Sequence, residues 1–168
     1  MLNDIIKYTG ILILLVLIQI LVMDNIGFSG YVNPYVYILF IILLPLDLSA
    51  WLVLLLSFFT GLTIDLFEAS PGLHTSATVL AGFVRPYILR IIAPHEGYEQ
   101  GDIPGIARNG FRWFLLYVAL VVSIHHFALF YIEVFRFAHF FQTFARVVLS
   151  SLFSILFIVI IQTLFIRR

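Results

Sequence analysis

Cysteine is absent from the 168 residues, lysine occurs once, at Lys7, and charged side chains make up only 11% of the chain. Without cysteine there is no disulfide, no thiol redox chemistry and no thiolate metal site. Nine basic and nine acidic residues give a formal net charge of zero. No Lys/Arg-rich run is present, so a nucleic-acid partner has no electrostatic basis. What is present is hydrocarbon: 62% of the residues are hydrophobic and the mean hydropathy is +1.12. Those values lie far outside the range of a soluble domain. Little remains once the apolar runs are removed, so the expectation is one polytopic, all-α integral membrane domain over residues 1–168.

Six apolar segments are expected to span, at about 5–23, 31–46, 48–67, 73–92, 112–130 and 140–166. The first is rich in Leu and Ile, shows no signal-peptide cleavage pattern after it, and is expected to remain as a span. A turn at Asp24-Asn25 and Gly27-Phe28-Ser29-Gly30 leads to the second. That run, begun by Asn33-Pro34 and ended by Pro45-Leu46-Asp47, is unusually short and spans only with local thinning. Ser57, Gly61 and Asp65 stand at i, i+4 and i+8 of the third span, which lines them along one helix face as a packing seam ending in an acid. Glu68, Ser70, Pro71 and Gly72 then make a turn. The fourth span offers Thr75, Thr78 and Gly82 for close helix approach and is kinked or ended by Arg85-Pro86. Pro94 to Arg108 reads as a hydrophilic surface loop, rich in Pro and Gly. A link carrying Glu133, Arg136 and His139 joins the fifth span to the sixth. In the sixth, Gln142, Arg146, Ser150 and Ser154 recur every four residues and drift by about 40° per step, a slow stripe expected to face the bundle.

An intramembrane acid is costly, so Asp65 is expected to meet a partner rather than lipid. Arg146 is the expected partner, at similar depth on the sixth span. His74 beside the turn, and His125-His126, are expected to be hydrogen-bonded interfacial histidines. Adjacent helical histidines point about 100° apart and do not clasp one ion. Asp47 and Asp65 sit about 25 Å apart along one helix, too far for an aspartyl dyad. No phosphate-binding loop and no nucleophile–base–acid set is found, so no catalytic residue, cofactor or metal is assigned. If the N-terminus is cytoplasmic, Lys7, Arg85, Arg90, Arg108, Arg112, Arg167 and Arg168 gather at the inner face. Both termini then lie in the cytoplasm and the outer half of the bundle is polar.

Gly61-Leu-Thr-Ile-Asp65-Leu-Phe followed by Pro71-Gly72-Leu-His74 resembles the signature of the rod shape-determining protein MreD family. Arg85-Pro86-Tyr87, Gly97-Tyr98-Glu99 and Trp113-Phe114 follow in the order that family shows, so the resemblance covers nearly the whole chain. It implies a non-enzymatic scaffold of the bacterial cytoplasmic membrane that pairs with MreC, a single-pass protein, in the cell-wall elongation machinery. It also implies links to a RodA-type polymerase, a class B penicillin-binding protein and MreB filaments. The implied fold is similar to the substrate-binding subunits of energy-coupling-factor transporters, which supplies the rival expectation of a vitamin-binding subunit. Such subunits dock through an Ala-x-x-x-Ala patch in the first span, and this first span has no alanine.

Overall fold

A computed structural model describes residues 2–26, 32–99, 101–135 and 140–165, with the side chains of Leu2 and Phe165 excepted. Among these, helices and their connections make up the fold. Helix α1 (Leu2–Ile18) widens into a π-helical turn, Gln19–Met23. A single helical turn, α2 (Leu39–Ile42), precedes α3 (Ala50–Glu68) and α4 (Leu73–Ile91). A second single turn, α5 (Ile106–Asn109), leads into α6 (Phe111–Val134), and α7 (Phe140–Phe165) closes the chain. Among the described residues four helices are long and apolar enough to cross a membrane: Asn3–Met23, Ala50–Glu68, Phe111–Val134 and Phe140–Leu164. Several expected features fall outside the described residues: Gly27, Phe28, Ser29 and Gly30 of the first turn, Tyr31, Arg136, His139, and the terminal Arg167 and Arg168.

Helix α4 is the middle of the bundle, packed on α3 along one side and on α6 along the other, while α7 packs on α6. It is also the least apolar of the long helices, because it carries His74, Thr75, Thr78, Arg85 and Arg90. Pro86, expected to kink or end it, does not end it, since the helix continues to Ile91. The fifth expected span is longer than its apolar run, since α6 extends to Val134 and takes Glu133 out of the link.

The largest departure lies at residues 31–46. No spanning helix forms among its described residues, 32–46. Residues 33–36 lack helical structure, only Leu39–Ile42 completes a helical turn, and the chain leaves it through Leu43 and Leu44 towards α3. This segment is nevertheless the most deeply buried part of the molecule, with every residue from Val36 to Leu44 at 2% exposure or less. Irregular backbone is tolerated at membrane depth only when protein surrounds it, since lipid offers no partner to a bare N–H or C=O. Bundle side chains supply those partners. Asn33 N–H donates to Ser150 Oγ at 3.0 Å, Tyr35 N–H to Ser154 Oγ at 2.8 Å and Val36 N–H to Gln19 Oε1 at 2.8 Å. Gln19 Nε2 in turn donates to the Pro34 carbonyl at 3.3 Å. At the far end Arg85 Nη2 donates to the carbonyls of Leu44 and Pro45, and Tyr117 O–H donates to that of Ile42.

The bulky apolar side chains of the segment pack on α1, α4 and α6 in one continuous core with Leu15, Val53, Ala81, Ile88, Phe114 and Val118. Lipid tails are as apolar as these side chains. Close packing and the satisfied backbone, more than release of water, therefore hold the segment inside.

Candidate functional site

The polar residues converge at one end of the bundle, starting from the clasp between α3 and α4. Helix α3 stops at Ala69, which adopts the left-handed conformation (φ 51°), and α4 starts after Gly72 (φ 85°). Gly72 has no side chain to cap the new helix, so its first N–H groups need an acceptor from elsewhere. Asp65 supplies it from one turn back along α3. Its Oδ1 accepts from His74 N–H (2.9 Å) and Ser70 Oγ (3.0 Å), and its Oδ2 from Thr75 N–H (2.9 Å) and Thr75 Oγ (2.5 Å). A carboxylate at a helix N-terminus is favoured by both these bonds and the helix dipole.

The expected Asp65–Arg146 pair does not form. The turn at Ser70 and the N-terminus of α4, only nine residues along the chain, together take up both carboxylate oxygens of Asp65. Arg146 instead pairs with Glu133 of α6 at 2.9 Å and lies over the Phe130 ring, 4.3 Å from its centroid. The Asn33 amide, oriented to satisfy both its atoms, accepts from Arg146 Nη2 at 2.7 Å.

Gly61 and Gly82 set how closely α3 and α4 approach. A Cβ on Gly61 would stand 2.5 Å from Thr75 Cα and 2.7 Å from the His74 carbonyl oxygen. A Cβ on Gly82 would collide with the Ser57 hydroxyl, itself buried and bonded to the Val53 carbonyl. Pro71 is exposed in the turn.

From the clasp a chain of buried hydrogen bonds crosses the bundle. His74 Nε2 meets Glu68 Oε2 at 2.9 Å and His74 Nδ1 meets Tyr37 O–H at 2.9 Å. Tyr37 O–H also meets His125 Nε2 at 2.7 Å, His125 Nδ1 lies 3.4 Å from His126 Nδ1, and His126 Nε2 meets Ser154 Oγ at 2.9 Å. One fixed point orients the whole chain, with proton positions assigned from the network. The Val122 carbonyl only accepts, so His126 Nδ1, at 2.9 Å, carries the proton. His126 Nε2 therefore accepts from Ser154, and His125 Nδ1 accepts from His126. His125 then donates through Nε2 to Tyr37, Tyr37 donates to His74 Nδ1, and His74 donates through Nε2 to Glu68. Both histidines of the pair are hydrogen-bonded, as expected, and fully buried.

Glu68 and His74 line an open cavity of about 720 Å³, shared with Asp24, Asn33, Glu133 and Arg146 and with apolar walls from Ile20, Met23, Phe67 and Leu129. Asp24, beyond the end of the first span, accepts from Gln19 Nε2 at 2.7 Å. Burial, and next the negative charge of Glu68, raise the Asp24 pKa to about 6.

The expected stripe on α7 divides. Arg146 faces the cavity, Ser150 and Ser154 bond the buried segment, and Gln142 is exposed, on a side of α7 turned away from the bundle, while its neighbour Thr143 is buried. At the opposite end Arg85, only 2% exposed, donates through Nε to Tyr117 O–H at 2.9 Å as well as to the segment's carbonyls. Its guanidinium is therefore enclosed by protein, with Pro86 half-buried beside it. Gln19, Asp24, Tyr37 and Tyr117 were not singled out from the sequence. Gln19 carried a usable signal as the lone amide in an otherwise apolar run, whereas a tyrosine in such a run reads as packing. Compared with protein-family models, with curated proteins and with solved structures, the chain matches none.

Proposed function

We propose that this chain is a non-enzymatic membrane scaffold of the bacterial cell-wall elongation machinery, of the MreD type, that binds an MreC-like single-pass protein and helps maintain rod shape. One observation carries the proposal beyond the sequence resemblance. The residues on which that resemblance rests, Gly61, Asp65, Gly72, His74 and Arg85, serve internal architecture: they close the α3–α4 clasp and hold the buried segment. A signature devoted to shape suits a protein that works by presenting surfaces.

In this reading the four span-length helices, α4 and the buried segment make six passes of the cytoplasmic membrane, with both termini in the cytoplasm. The architecture is then similar to the substrate-binding subunits of energy-coupling-factor transporters. Partner spans, RodA-type and penicillin-binding synthases among them, meet exposed apolar faces such as Phe58, Phe59, Phe141 and Phe144, and MreB filaments lie on the inner side. A second reading, a vitamin-type binding subunit of a transporter, is favoured by the cavity of about 720 Å³, which falls within the size range of small-molecule sites.

Mass spectrometry of what co-purifies with the tagged protein from native membranes tests the two readings. An MreC-like protein with cell-wall synthases supports the scaffold, whereas paired ATPases with a vitamin-like ligand overturn it.

A further inference from the structure

We infer that the buried chain from Glu68 to His125 is a proton-operated switch. One proton taken up from the cavity settles on His74 Nδ1, and the Tyr37 hydroxyl turns from His74 towards Thr78. The switch works the same way under either functional reading.

The chain meets the cavity at one end only. Glu68, 21% exposed, and His74 line the cavity, whereas Tyr37, Thr78, His125, His126 and Ser154 are wholly buried. A proton therefore enters at Glu68 or His74. On Glu68 Oε1 it would face no acceptor, because that oxygen is buried without a partner, and on Oε2 it would weaken the bond accepted from His74. His74 Nδ1 has neither drawback, since it points at the Tyr37 oxygen 2.9 Å away.

The step balances at Tyr37. Its oxygen then accepts from His74 Nδ1 and, as before, from His125 Nε2 at 2.7 Å, so its own proton needs a new acceptor. Thr78 supplies one. The Thr78 hydroxyl gives its proton to the His74 carbonyl at 2.6 Å and keeps a lone pair for Tyr37, 3.5 Å away. A full bond between two hydroxyls is shorter, roughly 2.7–2.8 Å, so the switch draws Tyr37, and with it the buried segment, towards Thr78 of α4.

The surroundings favour a charge on His74. Two carboxylates of α3 hold it, Asp65 through its main-chain N–H and Glu68 through Nε2. Asp24, after the first span, and Glu133 of α6 line the same cavity, and Arg146 of α7, the arginine among those lining residues, is paired with Glu133. From the buried segment the Tyr35 and Tyr37 rings meet it edge-on. From α6, His125 lies behind Tyr37 and His126 behind that, each with the one ring proton set by the Val122 carbonyl. Protonation turns the His74–Glu68 contact into an ion pair.

The test is nitrogen NMR of the full chain in a neutral-detergent micelle, labelled at histidine, assigned by single substitution and titrated from about pH 8 to about pH 5. Ring nitrogens report directly whether they carry a proton. His74 should pass from one ring proton to two as pH falls, while His125 and His126 keep one each. Thr78→Val removes the acceptor for the Tyr37 proton and should lower the pH of the His74 transition by about one pH unit, a tenfold loss of proton affinity. Thr78→Ser keeps a hydroxyl and should titrate like the native chain. Glu68→Gln, which removes the counter-charge, should move the transition the same way as Thr78→Val. A His74 that keeps one ring proton down to about pH 5, a second proton on His125 or His126 instead, or an unshifted transition in Thr78→Val would each overturn the inference. The native titration decides the first two even if Thr78→Val fails to fold.

Discussion

At the scale of single residues, the clasp between α3 and α4 makes two sharp expectations. Asp65→Asn retains one acceptor oxygen but turns an amide towards the Thr75 N–H, so two donors at the start of α4 lose their partner. Charge-assisted hydrogen bonds are worth roughly 1.5–3 kcal/mol each, and the variant should lose about 2–3 kcal/mol of stability in denaturant-induced unfolding in micelles. The glycines should separate by what they meet. Gly61→Ala pushes into the backbone of His74 and Thr75, and no side-chain change relieves that. Gly82→Ala clashes with the Ser57 side chain, while Val53 Cγ1 stands at an ordinary 3.5 Å. Each should cost on the order of 1–3 kcal/mol, but adding Ser57→Gly should recover part of the loss for Gly82→Ala alone, read in the same unfolding experiment. The spacing of Ser57, Gly61 and Asp65 places them on one face from sequence alone. The partner of Asp65 was not legible that way. A cation at matched depth and a nearby helix start compete for the same carboxylate, and only the left-handed turn at Ala69 and Gly72 brings the second within reach.

Among the elements, the buried segment is where sequence patterning fails and where the reason is clearest. Hydrophobic periodicity separates helix from strand only when one face is polar. From Val36 to Leu44 every side chain is covered, so the run is apolar throughout whatever its backbone does. Its short length and flanking prolines mark it as an awkward span, but not as an unwound one. The side chains that sustain it are conspicuous only afterwards: a lone Gln19 in α1 and two serines on α7. Ser150→Ala and Ser154→Ala should each destabilise by about 1–3 kcal/mol, the cost of an unsatisfied buried donor. Ser154→Ala should be the more damaging, because His126 loses its donor as well. Hydrogen exchange should localise the loss, with the amides of Asn33 and Tyr35 losing protection before those of α4.

For the whole molecule, stability should vary with pH through Asp24. Its pKa is about 6 in the fold against 3.8 for a free side chain, so between those values the folded state holds a proton that the unfolded chain releases. The sign follows by linkage: the contribution is favourable below about pH 4 and is lost as pH rises to about 6. Asp24→Asn should flatten that part of the profile, measured as unfolding midpoint against pH from 4 to 7. The all-helical membrane class was legible in composition, since so little charge and so much hydrocarbon permit little else. The cavity was not, because its walls come from five separate stretches of chain. The bonds from α7 to the buried segment also mean that an early part of the chain is completed by its last helix. The N–H groups of Asn33 and Tyr35 find their acceptors on Ser150 and Ser154, more than a hundred positions later in the chain. During synthesis the early segment therefore has no finished place to go. Until the last helix arrives these two N–H groups lack their acceptors, and a chain cut short before α7 is left with an open seam.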